Sequence, residues 1–170
     1  PNFKNEIITK GLPASSGVIT GKVVFDSKAL KNFRNKKHNT ILVLKETSPN
    51  DVNTMNQSTG VLTCQGGMTS HAAVVARGLN KTCVTGARDI KIDFENKRFH
   101  CGELFIVEGD IITINGGNGE VLIGDAPTKI PNLSEELLQI VKWSEKINKN
   151  KSEDLIGFLK KTQEIIKKNK

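Results

Sequence analysis

The stretch Gly66-Gly67-Met68-Thr69-Ser70-His71-Ala72-Ala73-Val74-Val75-Ala76-Arg77-Gly78 constrains this 170-residue chain more than any other. Two glycines free the backbone to bring amide N–H groups close to a ligand or a neighbouring strand. Thr69 or Ser70 then offers a helix N-cap, and Ala72–Arg77 reads as a short helix that Gly78 closes. At 100° per residue, Ala72–Ala76 cover every side of that helix, which predicts burial nearly all round with only its N-terminal end accessible. The flanking GVLT (60–63) and CVTG (83–86) read as short strands, so the helix has a sheet to pack on.

Other segments extend this α+β pattern. GVITGKVVF (17–25) and ILVL (41–44) are β-branched runs, and the polar residues 26–40 between them read as a Lys/Asn loop with at most one helical turn. Ser48-Pro49-Asn50-Asp51 places an N-cap, a proline at the first helical position and an acidic residue at the third, predicting a short helix to about Gln57 with Val52 and Met55 inward. LFIV (104–107), IITI (111–114) and VLI (121–123) read as hairpin strands. The NGGNG cluster (115–119) resembles a phosphate loop, but Glu120–Gly124 continues as strand rather than opening a helix, so a turn is expected. Asp125–Asn132 reads as a linker. Amphipathic helices are expected after Ser134 (with Leu137, Leu138, Val141 and Trp143) and after Ser152 (with Leu155, Leu159 and Ile166). The chain thus divides into a domain over 1–127 and a linker with helices over 128–170.

Composition narrows the function classes. No apolar run approaches the roughly 18 residues of a membrane span, and Pro1–Lys10 lacks the apolar core of a signal peptide, so a cytoplasmic protein is expected. Cys64, Cys83 and Cys101 form no C-x-x-C pair, and His100-Cys101 has no second pair to complete a tetrahedral site; no metal site is expected. Net charge is +7, with 15 Lys/Arg against 12 Asp/Glu in residues 1–127 and 10 against 6 in the tail. A nucleic-acid surface needs clustered cations and, for single strands, aromatics to stack on; with no Tyr and one Trp, solvated basic surface is the better reading.

His71 carries the chemistry. A histidine in the first turn of a helix lies at the positive end of the macrodipole, which disfavours the protonated ring and favours the neutral nucleophile. Once the ring bears a phosphoryl group, the free N–H groups and the Ser/Thr hydroxyls can hold the anion. The competing reading is a capping motif with an incidental histidine. A Ser70/His71 hydrolase pair is disfavoured because adjacent helix residues do not face each other. His38 and His100 read as surface groups.

Gly66–Gly86, GGMTSHAAVVARGLNKTCVTG, closely resembles the phosphohistidine motif of the phosphoenolpyruvate-utilising enzymes, a family that includes phosphoenolpyruvate synthase, enzyme I of the sugar phosphotransferase system and the pyruvate, phosphate dikinases. Met68, Ala72–Val75 and Gly78–Cys83 resemble the dikinase version, as do Gly11–Gly17, Val24–Asp26, Thr47–Val52, Glu108–Asp110 and Gly119–Val121. The resemblance implies a swivelling β/β/α domain with a mixed β core, here with a helical C-terminal extension. It also implies that His71 is pyrophosphorylated by ATP, passes one phosphoryl group to phosphate and delivers the other to pyruvate. Gly66, Gly67, Thr69 and Ser70 match positions that shape and support the phosphoryl site, and Thr69 also matches a threonine that regulatory kinases modify. Arg77 matches too, but six helical residues set it about 120° from His71.

The family places an ATP-grasp domain before this segment and a pyruvate-binding (β/α)8 barrel after it. Neither is evident between Pro1 and Lys170, nor is a Walker loop or a magnesium carboxylate cluster. The expectation is a carrier without a cofactor of its own, inactive alone, with Mg2+ in the partner domains. A fragment, a split subunit or a stand-alone carrier all fit. A carrier of the synthase or enzyme I type, and a non-catalytic interaction module keeping the fold, are the alternatives.

Overall fold

The computed structural model describes residues 6–126. The chain divides into units Pro1–Thr128 and Lys129–Lys170, and the fold below is that of the first. The helices expected after Ser134 and Ser152 lie outside the described residues.

Eleven strands and three helices are present among the described residues. In chain order they are β1 (Ile7–Lys10), β2 (Leu12–Ser15), β3 (Val18–Val24), α1 (Ser27–Asn35), β4 (Thr40–Leu44), a 3-10 turn (Pro49–Asp51), α2 (Val52–Gln57), β5 (Gly60–Thr63), α3 (His71–Gly78), β6 (Thr82–Thr85), β7 (Lys91–Asp93), β8 (Arg98–Cys101), β9 (Leu104–Val107), β10 (Ile111–Asn115) and β11 (Glu120–Ile123). An eight-stranded sheet runs β1-β11-β10-β3-β4-β5-β6-β2, and β7-β8-β9 form a second, antiparallel one. Strands β3 to β6 are mutually parallel, and the strands flanking them are antiparallel. Pro13 sits on the edge strand β2, where its missing N–H costs least.

Alternation along the central strands builds the two sides of the molecule. Val23, Ile41, Val43, Leu62 and Val84 point to one face, where Ile92, Phe99, Leu104 and Ile106 of the small sheet meet them. Their neighbours Val24, Leu42, Val61 and Cys83 point to the other, where Ala29 and Leu30 of α1, Met55 of α2, and Ala73 and Ala76 of α3 pack. The result is three layers, small sheet on large sheet on helices, an α+β fold with a mixed β core. No helix among the described residues is long and apolar enough to cross a membrane.

One expectation is corrected. Residues 26–40 are not mainly loop: α1 occupies nine of them. Asp26 caps it by accepting from the Ala29 amide at 2.7 Å, while Ala29, Leu30 and Phe33 form the stripe that meets β3 and β4. That Ala29 amide, helped by Lys97 at 2.9 Å, holds the Asp26 carboxyl below its ordinary range. The hairpin reading holds for all three later segments: β9 forms a hairpin with β8, and β10 with β11 across the 115–119 turn. Ser48–Gln57 follows expectation, with Asp51 accepting from the Ser48 amide and hydroxyl at 2.7 and 2.8 Å and Met55 fully buried.

Candidate functional site

Because β4, β5 and β6 are parallel, their C-terminal ends lie at one edge of the fold, and the loop from β5 to α3 leaves from that edge. Gly66 opens the loop at φ +109°, where a Cβ would press within 3.0 Å of Ser70 Cβ and Oγ. Gly86, after β6, has φ +65°, and a Cβ there would meet the Gly66 carbonyl at 2.7 Å. Both positions require glycine on steric grounds. Gly67 is under no such steric requirement, since a Cβ there would meet nothing within 4 Å. Two buried threonines support the loop from below: Thr63 Oγ1 donates to the Gln65 carbonyl at 2.7 Å and Thr85 Oγ1 to the Gly67 carbonyl at 3.4 Å.

Ser70 is the N-cap of α3, its Oγ accepting from the Ala73 amide at 3.3 Å. The amides of His71 and Ala72 have no intrahelical acceptor, leaving two donors at the positive end of the helix. His71 is the first helical residue, and its side chain is exposed. Its Nδ1 lies 3.1 Å from Thr47 Oγ1, a residue of the segment after β4. That contact engages Nδ1 and leaves Nε2, on the far side of the ring, without a hydrogen-bond partner among the described residues. Thr69 is exposed two residues earlier.

Helix α3 is buried on one side only, contrary to the expectation of burial all round. Ala72, Ala73 and Ala76 are at most 1% exposed against the sheet, but Val74 is 57% exposed. Among the described residues no further layer covers this eight-residue helix on the outer face of the sheet, and its small alanines let it approach the strands closely. Val74 follows His71 by three residues, so both share a face, and Met68 adds a second exposed apolar side chain nearby in the chain. Arg77 donates from its guanidinium to the Met68 carbonyl, clamping the loop. The site as the structure assembles it is therefore His71, the Gly66–Ser70 loop and Thr47.

Thr47 stood in the sequence only as the first residue of the Thr47–Val52 resemblance, with no role assigned, because only strand order and register bring residue 47 beside residue 71. His38 stands exposed in the turn after α1, and His100 lies on β8 with its ring 5.5 Å from that of Phe105; neither adjoins His71 in the fold. Among the described residues no three His, Cys, Asp or Glu side chains gather as a metal site.

Comparison with known proteins places the sequence among relatives. The family model described as "PEP-utilising enzyme, mobile domain" matches residues 36–119, which include Thr47, the loop and all of α3. The chain is 46% identical over 144 residues to the pyruvate, phosphate dikinase of Rickettsia prowazekii and 42% identical over 149 residues to the chloroplastic pyruvate, phosphate dikinase 1 of Arabidopsis thaliana. These alignments cover 83% and 88% of this chain, which spans only 16% of either relative's length. Among solved structures, the N-terminal domain of Enzyme 1 - Nitrogen aligns with 82% of this chain and 99% of its own, at a TM-score of 0.48 and 14% identity. Residues 36–119 therefore carry the mobile-domain pattern of the PEP-utilising enzymes, within a chain that is similar over most of its length to one part of the pyruvate, phosphate dikinases.

Proposed function

We propose that this chain is the phosphoryl carrier of a pyruvate, phosphate dikinase, and that Nε2 of His71 is the atom that carries the group. The observation that supports this most directly is the exposed imidazole at the tip of α3, held through Nδ1 by Thr47. For Nε2 to attack, its lone pair must be free, so Nδ1 carries the proton and donates it to the Thr47 hydroxyl. As the N–P bond forms, the donor's P–O bond breaks and its electron pair leaves with the donor oxygen. Positive charge then develops on the ring, and the Nδ1–H to Thr47 bond strengthens with it. The free amides of the α3 N-terminus and the Ser70 and Thr69 hydroxyls are placed to receive the phosphoryl oxygens.

In this reading ATP, phosphate and pyruvate are bound by partner domains, an ATP-grasp domain and a (β/α)8 barrel, which also supply Mg2+. His71 shuttles between them in the cytoplasm, and the chain alone turns over nothing. The exposed Val74 and Met68 beside the ring suit a face that docks on two partners in turn. A phosphate on Thr69 would put like charge beside the arriving phosphoryl group and block loading.

The test supplies the full chain with phosphoenolpyruvate, Mg2+ and a complementary dikinase whose own carrier histidine has been removed. The expected product is an acid-labile, base-stable phosphate on this chain, formed also from ATP with phosphate. Labelling by phosphoenolpyruvate alone would reassign the chain to an enzyme I-type carrier. Absence of labelling from every donor would leave an interaction module and refute the proposal.

Thr47→Val keeps shape and removes the hydroxyl. Loss of one hydrogen bond to a charged ring should slow loading by roughly 10–100-fold. Rapid-quench rates check this, and serine at 47 should restore most of the rate.

A further inference from the structure

The edge that carries His71 has a second feature on its other side. Where α3 leaves on the helix face of the large sheet, a cavity of about 700 Å³ opens toward the small sheet. Its walls are the turns after the same parallel strands: Lys45 after β4, Cys64 to Gly66 after β5, and Arg88 after β6. Crevices at the carboxyl ends of parallel strands are where open α/β sheets accept ligands, and this volume is within the usual range for small molecules.

The lining divides into two chemistries. One part is cationic: Lys45, Arg88 and Lys91 all face the cavity, and no acidic side chain lines it. The ion pairs among the described residues join Lys97 and Arg98 to Asp26, Glu108 and Asp93, so they neutralise none of these three cations. The other part is apolar, made by Ile90, Ile92 and Phe94. Phe94 is 49% exposed, yet the buried Phe25 steadies it in an edge-on contact at 6.3 Å between ring centroids. Cys64, also in the wall, is pushed up to about 11 by burial and so brings no negative charge.

Three cations without an ion pair among the described residues, beside a steadied aromatic ring, suit one ligand chemistry. We infer that this cavity binds a small aromatic phosphate, its ring against Phe94, Ile90 and Ile92 and its dianion among Lys45, Arg88 and Lys91. This site shares only Gly66 with the phosphoryl site. It lies on the opposite face of the sheet from α3, and it meets the carrier loop only through Gln65 and Gly66. Occupancy therefore touches the segment that leads to His71 without touching the imidazole.

The test titrates the 15N-labelled full chain with phenyl phosphate and follows amide shifts, with inorganic phosphate and phenol in parallel. Saturable shifts at Gln65, Gly66, Arg88 and Ile92 are expected, with a Kd of about 1 mM or tighter. Inorganic phosphate and phenol should each bind at least about tenfold more weakly, since each engages one half of the lining. Arg88→Ser with Lys91→Ser, both at exposed positions, should weaken phenyl phosphate at least about tenfold while the rest of the spectrum stays in place. His71→Ala should leave the affinity unchanged. The inference is overturned if those four amides show no saturable shift, or if inorganic phosphate alone matches phenyl phosphate. It is equally overturned if the shifts centre on Thr69–Ala73 and vanish with His71→Ala, which would seat the ligand at the carrier site.

Discussion

A His71→Asn chain takes up no phosphoryl group from either donor system, while its fold and stability stay close to those of the parent. Both halves of that expectation come from where His71 stands. The cap of α3 belongs to Ser70, which accepts from Ala73, and the packing of the helix belongs to Ala72, Ala73 and Ala76. His71 contributes to neither. Its side chain is exposed, and its hydrogen bond to Thr47 joins two groups at the surface. Loss of such a bond costs about 1 kcal/mol or less. Asparagine is tolerated at a helix start and offers no nucleophilic nitrogen, since its amide lone pair is delocalised. Intact-mass measurement after incubation should show full labelling of the parent and none of the variant, with superimposable far-ultraviolet dichroism. Persistent labelling of the variant at the parent's stoichiometry would move the chemistry to another residue.

The largest effect on stability is expected at the opposite face of the sheet. Phe99 is fully buried and stands in the middle strand of the small sheet, facing the apolar face of the large one. A three-stranded sheet of short strands has little independent stability, so its position depends on what it buries. Phe99→Ala removes the largest fully buried side chain among the described residues and leaves a cavity in the cluster it shares with Val23, Val43 and Ile106. The expected cost is about 3–5 kcal/mol. In a domain of this size that lowers the melting temperature by roughly 8–20 °C. Differential scanning calorimetry measures it, and a drop under about 3 °C would mean that the two sheets are not joined through this residue. Phe99→Leu, which keeps most of the volume, should recover more than half of the loss.

How much of this was legible beforehand depended on which force set each element. β3, β4, β5, β10 and β11 were visible because β-branched runs with flanking glycines leave few other conformations. α3 was visible through its cap and its alanines, but its exposure was not. Val74 is as apolar as Val75, and only the depth of the sheet decides which one reaches solvent. α1 was hidden because Lys28, Lys31 and Arg34 dominate its composition, while Ala29, Leu30 and Phe33 form a stripe just wide enough to bury. β7 and β8 carry Lys91, Asp93, Arg98 and His100, charges that a half-buried sheet tolerates at its surface but that mask the pattern. Edge strands β1 and β2 are held by partners far along the chain, β11 and β6, and short segments of that kind announce themselves weakly. At the site, His71 and the loop were legible because cap, glycine and nucleophile are neighbours in sequence. Thr47's place beside the ring was not, nor was the cavity, since both arise where separate parallel strands end.

The proposed phosphoryl carriage rests on one atom, and phosphorus–nitrogen correlated NMR of the loaded, 15N-histidine-labelled chain reads it directly. Coupling of the phosphorus to Nε2 of His71, with Nδ1 still protonated toward Thr47, is the predicted result. Phosphorus bonded to Nδ1, or found as an acid-stable ester on Thr69 or Ser70, would contradict it.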